Sequence, residues 1–250
     1  MNNIINGSWN GFRELILVDK TEVCPGIISF YFKSKDGGKL VKHKAGQFLP
    51  FKIKTDDPKY KDVIRTYSLS MFPNDNLYRI SVKKIEGGLI STYLHENLNI
   101  GDSIEAMVPT GLFTIDNKSK DIPLVLISAG IGITPLLSML YDESAIRKNI
   151  SFIQAVQNSS IHPFKEDIDA IAKATGIKNT IFYSKPLESD KLGVDYDFSG
   201  YVNKDYLKDN VDLNSDFYFC GPPPFMKGIE TSLLELGVPE NRIHYELFSN

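Results

Sequence analysis

The chain has 250 residues, 42% of them hydrophobic and 24% charged, with a net charge of -3. That is enough for one large or two ordinary globular domains, each able to bury a core without disulfides or metal. There is no basic tract, which argues against nucleic acid as the main partner. Two cysteines exclude a disulfide framework or an iron–sulfur cluster held by this chain alone, and four scattered histidines show no metal-ligand spacing, so no metal site is expected.

Met1 to Ser8 has neither a charged leader region nor a long apolar run, so a signal peptide is not expected and a reducing cytoplasm is the natural setting. The first half then reads as β. Phe12 to Val18, Ile27 to Lys33, Gln47 to Lys54, Arg65 to Ser70, Tyr78 to Lys84 and Ser103 to Val108 are short runs rich in aromatic and β-branched residues, separated by turn-forming clusters such as Pro73-Asn74-Asp75-Asn76. Short strands with tight turns suggest an antiparallel barrel. Within it, Ser91 is a candidate N-cap for a short helix from Thr92 to Leu98. The polar stretch Asn117 to Asp121 is the expected boundary, dividing the chain into domains 1–118 and 119–250.

Beyond it the rhythm changes. Pro123 to Ser128 is a continuous apolar run, as in a strand buried on both faces. A helix is expected from Thr134 to Arg147, a strand from Ile150 to Val156, a helix from Pro163 to Thr175 and a strand from Thr180 to Ser184. A helix from Asn203 to Asp209, a strand from Asp216 to Cys220, a helix from Phe225 to Leu236 and a strand from Ile243 to Phe248 complete the series. Such alternation implies an α/β domain with a parallel sheet covered on both faces. Pro123 to Tyr141 has no charge and approaches the length of a membrane span, but Gly130, Gly132 and Pro135 interrupt it, so strand, turn and helix explain it better.

Four motifs can carry chemistry. Gly130-Ile131-Gly132-Ile133-Thr134-Pro135 follows an expected strand and opens an expected helix, where N–H groups and helix dipole suit a pyrophosphate; Thr134 suits the cap and Pro135 the first turn. It is not the usual dinucleotide fingerprint, and an ordinary strand–helix turn would look the same. Cys220-Gly221-Pro222-Pro223 ends another expected parallel strand, so it can share the same carboxyl edge, although a cysteine there is commonly just packing. Arg65 and Tyr67 alternate onto one face of a strand, offering a two-pronged phosphate partner and a flat ring, or simply a polar surface strand. Gly87-Gly88-Leu89-Ile90-Ser91 is a second anion cradle or a plain turn before a helix.

Together with Gly46-Gln47-Phe48, Ile80-Ser81-Val82-Lys83, Pro109-Thr110-Gly111-Leu112-Phe113 and His244-Tyr245-Glu246-Leu247-Phe248, these motifs run from about Gly11 to Phe248. In that order the chain resembles the ferredoxin–NADP+ reductase superfamily, and within it the reductase portion of flavohemoglobins. The resemblance implies an N-terminal flavin barrel, a C-terminal nicotinamide-binding domain and an active site between them. By that likeness Arg65 would bind the flavin pyrophosphate, Tyr67 would pack on the isoalloxazine, and Ser68 would hydrogen-bond near its N5. Gln47 and Phe48 would line the flavin, and Gly88 and Ser91 would cradle its phosphates. Gly130, Gly132 and Thr134 would hold the nicotinamide cofactor, to whose binding Gly221 and Pro222 also contribute, Cys220 would sit beside its C4, and Glu246 and Phe248 would close the far face of the flavin.

The implied activity is an NAD(P)H-dependent reductase passing hydride to bound FAD, with FMN the less favoured flavin. Gln157-Asn158-Ser159-Ser160, after the second strand of the α/β domain, carries no cation, and only Lys185 stands nearby, so NADH is favoured over NADPH. The sequence holds neither a globin nor the cysteines of a ferredoxin domain, so the acceptor is expected to be a separate haem or iron–sulfur protein or domain, or a small oxidant. A reductase of free flavin, an electron-transfer subunit of a larger complex and a non-catalytic nucleotide-binding module are the competing readings.

Overall fold

In the computed structural model, which describes residues 7–115 and 120–248, the first half forms six strands and one helix. These are β1 (Arg13–Cys24), β2 (Ile27–Ser34), β3 (Phe48–Ile53), β4 (Ile64–Ser68), β5 (Tyr78–Lys83), α1 (Leu89–Glu96) and β6 (Ser103–Ala106). The strands pair antiparallel in the order β4-β3-β6-β1-β2-β5. The two edges meet just past β4, where Leu69 bridges to Ile80 and the Ser70 N–H donates to the Arg79 carbonyl at 2.9 Å. The result is the antiparallel barrel expected from the turn spacing. Leu15, Leu17, Phe30, Phe32, Leu49 and Phe51 point inward and are fully buried, and Ile90 and Leu94 of α1 join the same core.

β1 runs six residues past the expected end at Val18. Asp19-Lys20-Thr21-Glu22 looks like a turn by composition, but a register irregularity between Leu17 and Asp19 lets the strand continue against β2, with Lys20 opposite Phe30 and Thr21 opposite Ser29. Pro25-Gly26 closes the hairpin, and Gly26 supplies the left-handed φ of +80° that this tight turn needs.

The extension also places Lys20 under the end of α1. Its ammonium donates to the carbonyls of Leu94, His95 and Leu98 at 3.2, 2.9 and 3.0 Å, satisfying groups that the helix leaves unpaired. Lys20→Met should keep the packing of the stem but lose this cap, lowering barrel stability by about 1–2 kcal/mol. Trp9 is the single tryptophan of the chain and its indole N–H bonds the barrel carbonyl of Ala106, so its fluorescence reports barrel unfolding in urea. An unchanged midpoint would refute the capping role.

The second half contains β7 (Leu124–Ala129), α2 (Ile133–Glu143), β8 (Ile150–Val156), α3 (Lys165–Thr175), β9 (Lys178–Tyr183), β10 (Phe198–Ser199), α4 (Lys204–Asn210), β11 (Asp216–Cys220), α5 (Pro223–Glu235) and β12 (Ile243–Tyr245). All strands run parallel in the order β10-β9-β8-β7-β11-β12. Every residue of β7 is buried, which explains its unbroken apolar run. Val125, Ile127, Ile153, Phe217 and Phe219 form a core with Met226, Ile229 and Leu233 of α5. No helix among the described residues is long and apolar enough to cross a membrane.

Several boundaries differ from expectation for identifiable reasons. α2 stops at Glu143, where the chain turns so that Arg147 pairs with the Glu143 carboxylate inside the protein and donates to the Ile122 carbonyl at 2.8 Å. α3 begins at Lys165 because Phe164 adopts a left-handed φ of 58°. The last strand ends at Tyr245, the final residue paired with β11, so Glu246 to Phe248 lie beyond it. The two-residue β10 is too short to leave a pattern in sequence. The chain divides into compact units Met1–Thr114 and Ile115–Asn250, and the boundary expected at 118/119 falls outside the described residues.

Candidate functional site

In the barrel unit, antiparallel pairing gathers three separated motifs. Phe48, which opens β3, is opposite Ser68, which closes β4; Leu49 is opposite Tyr67, and Phe51 is opposite Arg65. Facing residues share a side of the sheet, so Arg65 and Tyr67 rise beside Leu49 and Phe51. The Tyr67 ring stacks on Phe51 with centroids 5.5 Å apart. Phe48 is also tied to Thr110 by reciprocal backbone bonds of 2.9 and 3.0 Å, and the missing side chain of Gly111 leaves room for its ring. Gln47 turns its side-chain oxygen to the Lys44 N–H at 2.9 Å, bracing the entry to β3.

Arg65 is exposed at this strand end, where its guanidinium donates to the neighbouring Ile64 carbonyl at 2.8 Å and pairs with no carboxylate among the described residues. Burial pushes the Tyr67 phenol up to about 12, with the Arg65 charge acting in the opposite direction, so Tyr67 is a neutral hydroxyl near pH 7. Ser68 is buried at 6% exposure. An arginine without an acidic partner, next to an aromatic ring, fits a phosphorylated, flat-ringed cofactor.

The second cradle in this unit is built differently from the sequence expectation. α1 starts three residues earlier, its N-cap is Gly88, and no side chain caps it. Ser91 lies inside the first turn, and its buried hydroxyl accepts the Ile85 N–H at 3.2 Å. A Cβ on Gly88 would stand 2.5 Å from that hydroxyl oxygen, so glycine is needed for close packing. The first turn of α1 carries no acid, leaving its uncapped start suited to an anion.

In the parallel-sheet unit, β7 and β11 are adjacent, with Ser128 opposite Cys220. From β7 the chain proceeds through α2 to β8 on one side, and from β11 through α5 to β12 on the other. This is the topological switch point, where open parallel sheets bind ligands at their carboxyl edge. The Gly130 and Cys220 loops both begin there. Gly130 has a left-handed φ of +53° and open space around it. Gly132 has ordinary helical φ, but a Cβ on it would lie 2.3 Å from the Cys220 carbonyl oxygen. The same pressure acts on Gly221, whose added Cβ would meet the Phe225 ring at 2.7 Å and Ala129 at 2.8 Å.

The two loops differ in what they offer. α2 begins at Ile133 with Gly132 as N-cap, rather than at Thr134 with Thr134 as cap. Thr134 is buried in the first turn, donating its hydroxyl to the Ile131 carbonyl at 3.0 Å, and this bond shapes the glycine turn. At the start of α5, Pro222, Pro223 and Pro224 have no N–H, and the Gly221 N–H donates to the Met226 thioether at 3.2 Å. Of the two loops, the one at α2 therefore offers an anion the richer set of backbone donors, while the proline-filled Cys220 side presents uncharged surface. The Met226 contact had no signal in the sequence.

The Cys220 thiol is fully buried and donates to the Glu246 carbonyl at 3.4 Å, because β12 runs beside β11. Burial, with the Glu246 charge adding to it, pushes this thiol far above the usual range, so it is no thiolate nucleophile. Burial also raises the Glu246 carboxyl. Phe248 lies past β12 and is 40% exposed. The structure thus brings Gln47, Phe48, Arg65, Tyr67 and Ser68 together in one unit, and Gly130, Gly132, Thr134, Cys220, Gly221, Pro222 and Glu246 in the other.

Comparison with known families accounts for both halves. Residues 14–115 match the oxidoreductase FAD-binding domain and residues 126–231 the oxidoreductase NAD-binding domain. The chain belongs to the ferredoxin–NADP+ reductase superfamily. Among its relatives in this superfamily, the flavohemoprotein of Bacillus subtilis is 38% identical over 245 residues, covering 97% of this chain and 60% of that protein. The flavohemoprotein of Rhizobium meliloti is 38% identical over 252 residues, covering 97% and 62%. The chain therefore spans about 60% of the length of the curated relatives it matches. Its fold superposes on the FAD/NAD-binding domain of nitric oxide dioxygenase from Vibrio cholerae with a TM-score of 0.86 at 29% identity, covering 96% of this chain and 100% of that one. Flavohemoglobin from Malassezia yamatoensis, solved with bound FAD and heme, gives a TM-score of 0.81 at 25% identity over 98% of this chain and 62% of that one. As a ferredoxin–NADP+ reductase-like protein, this chain is an NAD(P)H-dependent FAD reductase module, with the flavin domain first and the nicotinamide domain second.

Proposed function

We propose that this module oxidises NADH and delivers electrons through bound FAD to a haem acceptor lying outside the chain. The observation that carries the reading is the pairing of two prepared cradles in one polypeptide: an arginine–tyrosine strand end with no acidic partner among the described residues, and a glycine turn at a sheet switch point. Each lies in the domain matched by the corresponding cofactor family. The haem acceptor is supported by the flavohemoprotein relatives. NADH is supported by the absence of a cation in Gln157-Asn158-Ser159-Ser160. Two free thiols agree with a reducing cytoplasm.

When bound, the nicotinamide and FAD supply hydride transfer followed by release of single electrons. Arg65 would bind the flavin phosphates, Gln47, Phe48 and Tyr67 would line its ring, Ser68 would donate a hydrogen bond to it, and Gly88 and Ser91 would shape the α1 cradle. Gly130, Gly132 and Thr134 would form the turn that binds the nicotinamide cofactor's pyrophosphate. Cys220, Gly221 and Pro222 would give its uncharged ring an apolar seat, with the Glu246 carbonyl fixing the thiol. Phe248 would offer an aromatic face to a cofactor ring.

A visible spectrum under nitrogen, before and after each nicotinamide donor, tests the reading. A flavin spectrum bleached by NADH at lower concentration than by NADPH is expected; a bound flavin that neither donor bleaches would overturn it. Absence of bound flavin would favour the reductase of free flavin instead. Cys220→Ala should slow flavin reduction by about tenfold, through loss of orientation, while leaving flavin content unchanged. Stopped-flow reduction at the wild-type rate would reduce Cys220 to packing.

A further inference from the structure

The choice between a plain and a 2′-phosphorylated donor needs a residue at the carboxyl edge of the second strand, β8, where an acid commonly holds the ribose 2′-hydroxyl in dinucleotide-binding sheets. The segment directly after β8, Gln157 to Ser160, contains no acid. The structure supplies one from the next loop. Beyond β9 the chain folds back on the β8 loop: the Ser184 N–H donates to Val156 at 3.0 Å, the Lys185 N–H to Gln157 at 2.8 Å, and the Asn158 amide to the Lys185 carbonyl at 3.2 Å. This lacing brings Asp190 against Ser159. One carboxylate oxygen accepts the Ser159 hydroxyl at 2.5 Å; the other accepts the Leu187 N–H at 2.9 Å and the Ser159 N–H at 3.4 Å.

Resting on the reading of the α/β domain as the nicotinamide-donor domain, we propose that Asp190 is the specificity-determining residue that admits a 2′-hydroxyl and rejects a 2′-phosphate. A carboxylate held at this edge accepts a hydrogen bond from a ribose hydroxyl and repels a phosphate. The surroundings reinforce that sign. Burial pushes the Tyr183 hydroxyl at the end of β9 up to about 12, and the charges of Asp190, Asp195 and Asp169 add to the rise, so three carboxylates act on this corner. Burial alone would raise the Asp190 carboxyl, but its bonds to Ser159 and Leu187 outweigh it and hold the group below its ordinary range, keeping it charged near pH 7. Lys185 and Lys191 are the opposing cations in the same loop; both are exposed and neither makes an ion pair among the described residues.

The test compares NADPH with NADH in wild type, Asp190→Asn and Ser159→Ala. Asp190→Asn keeps the shape and removes the charge, and should raise the ratio of NADPH to NADH efficiency by at least about tenfold. Ser159→Ala loosens the loop but keeps the charge, and should leave the ratio within about twofold. Calorimetry with ADP-ribose and its 2′-phosphorylated form gives a second readout without turnover: Asp190→Asn should tighten only the phosphorylated ligand. An unchanged ratio in Asp190→Asn, an equal rise in Ser159→Ala, or a wild type that prefers NADPH would each overturn the proposal. If NADH bleaches bound flavin while the ratio is unmoved, the donor-selecting role of Asp190 fails and the reductase reading stands. If wild type neither bleaches its flavin nor binds either ADP-ribose form, the reading and the proposal fail together.

Discussion

Gly132→Ala should abolish most NAD(P)H-driven flavin reduction while leaving the flavin bound. The added Cβ would lie 2.3 Å from the Cys220 carbonyl oxygen and 2.6 Å from the Gly221 nitrogen, both backbone atoms with no side-chain rotation to relieve the contact. The two loops at the switch point must separate, and both belong to the proposed donor site. Overpacking of this kind costs about 1–3 kcal/mol in stability. A displacement approaching 1 Å at a reacting centre can cost about 100-fold in rate, and a loss of that order is expected here. Flavin content should be unaffected, because Arg65, Tyr67 and Ser68 lie in the other unit. Stopped-flow reduction and the flavin-to-protein absorbance ratio separate the two effects. A variant that reduces its flavin at the wild-type rate would show that the loops need not touch. Gly130→Ala tests a different cause: its Cβ meets nothing, but its φ of +53° strains any other residue.

Arg65→Ala should weaken FAD binding by roughly 30- to 150-fold, the equivalent of about 2–3 kcal/mol for a charge-assisted phosphate contact. The side chain is exposed and pairs with no carboxylate among the described residues, so its removal should leave the barrel intact. Arg65→Lys should recover only part of the affinity, since a point charge cannot reproduce two parallel bonds. Equilibrium binding of FAD to the flavin-stripped protein, with Trp9 fluorescence to confirm folding, measures both variants. Unchanged affinity in Arg65→Ala would remove Arg65 from the flavin site.

Much of the architecture was legible because it depends on local pattern. Ile150 to Val156 and Asp216 to Cys220 were bounded correctly, since apolar runs between polar turns leave few alternatives. Asn203, expected as the first residue of a helix, is instead the cap of α4, accepting the Tyr206 N–H at 2.9 Å. The helix starts at the two cradles were less legible. Ser91 and Thr134 are good caps by residue type, yet each lies inside the first turn of its helix with its hydroxyl bonded to the segment before it, and glycines take the cap positions. Residue type says what a hydroxyl can bond; only the fold says which partner is within reach.

By itself the sequence determined a barrel followed by a parallel α/β domain and placed its motifs at strand ends, because hydrophobic period and turn chemistry act over a few residues. Tertiary structure alone decided what those motifs touch. It extended β1 through a polar stretch, closed the barrel from Leu69 to Ile80, pressed Gly132 onto Cys220, and carried Asp190 back to Ser159. The first two are strand pairings and the last two join segments distant in the chain; such contacts are set by packing and strand pairing, which leave no local period to read.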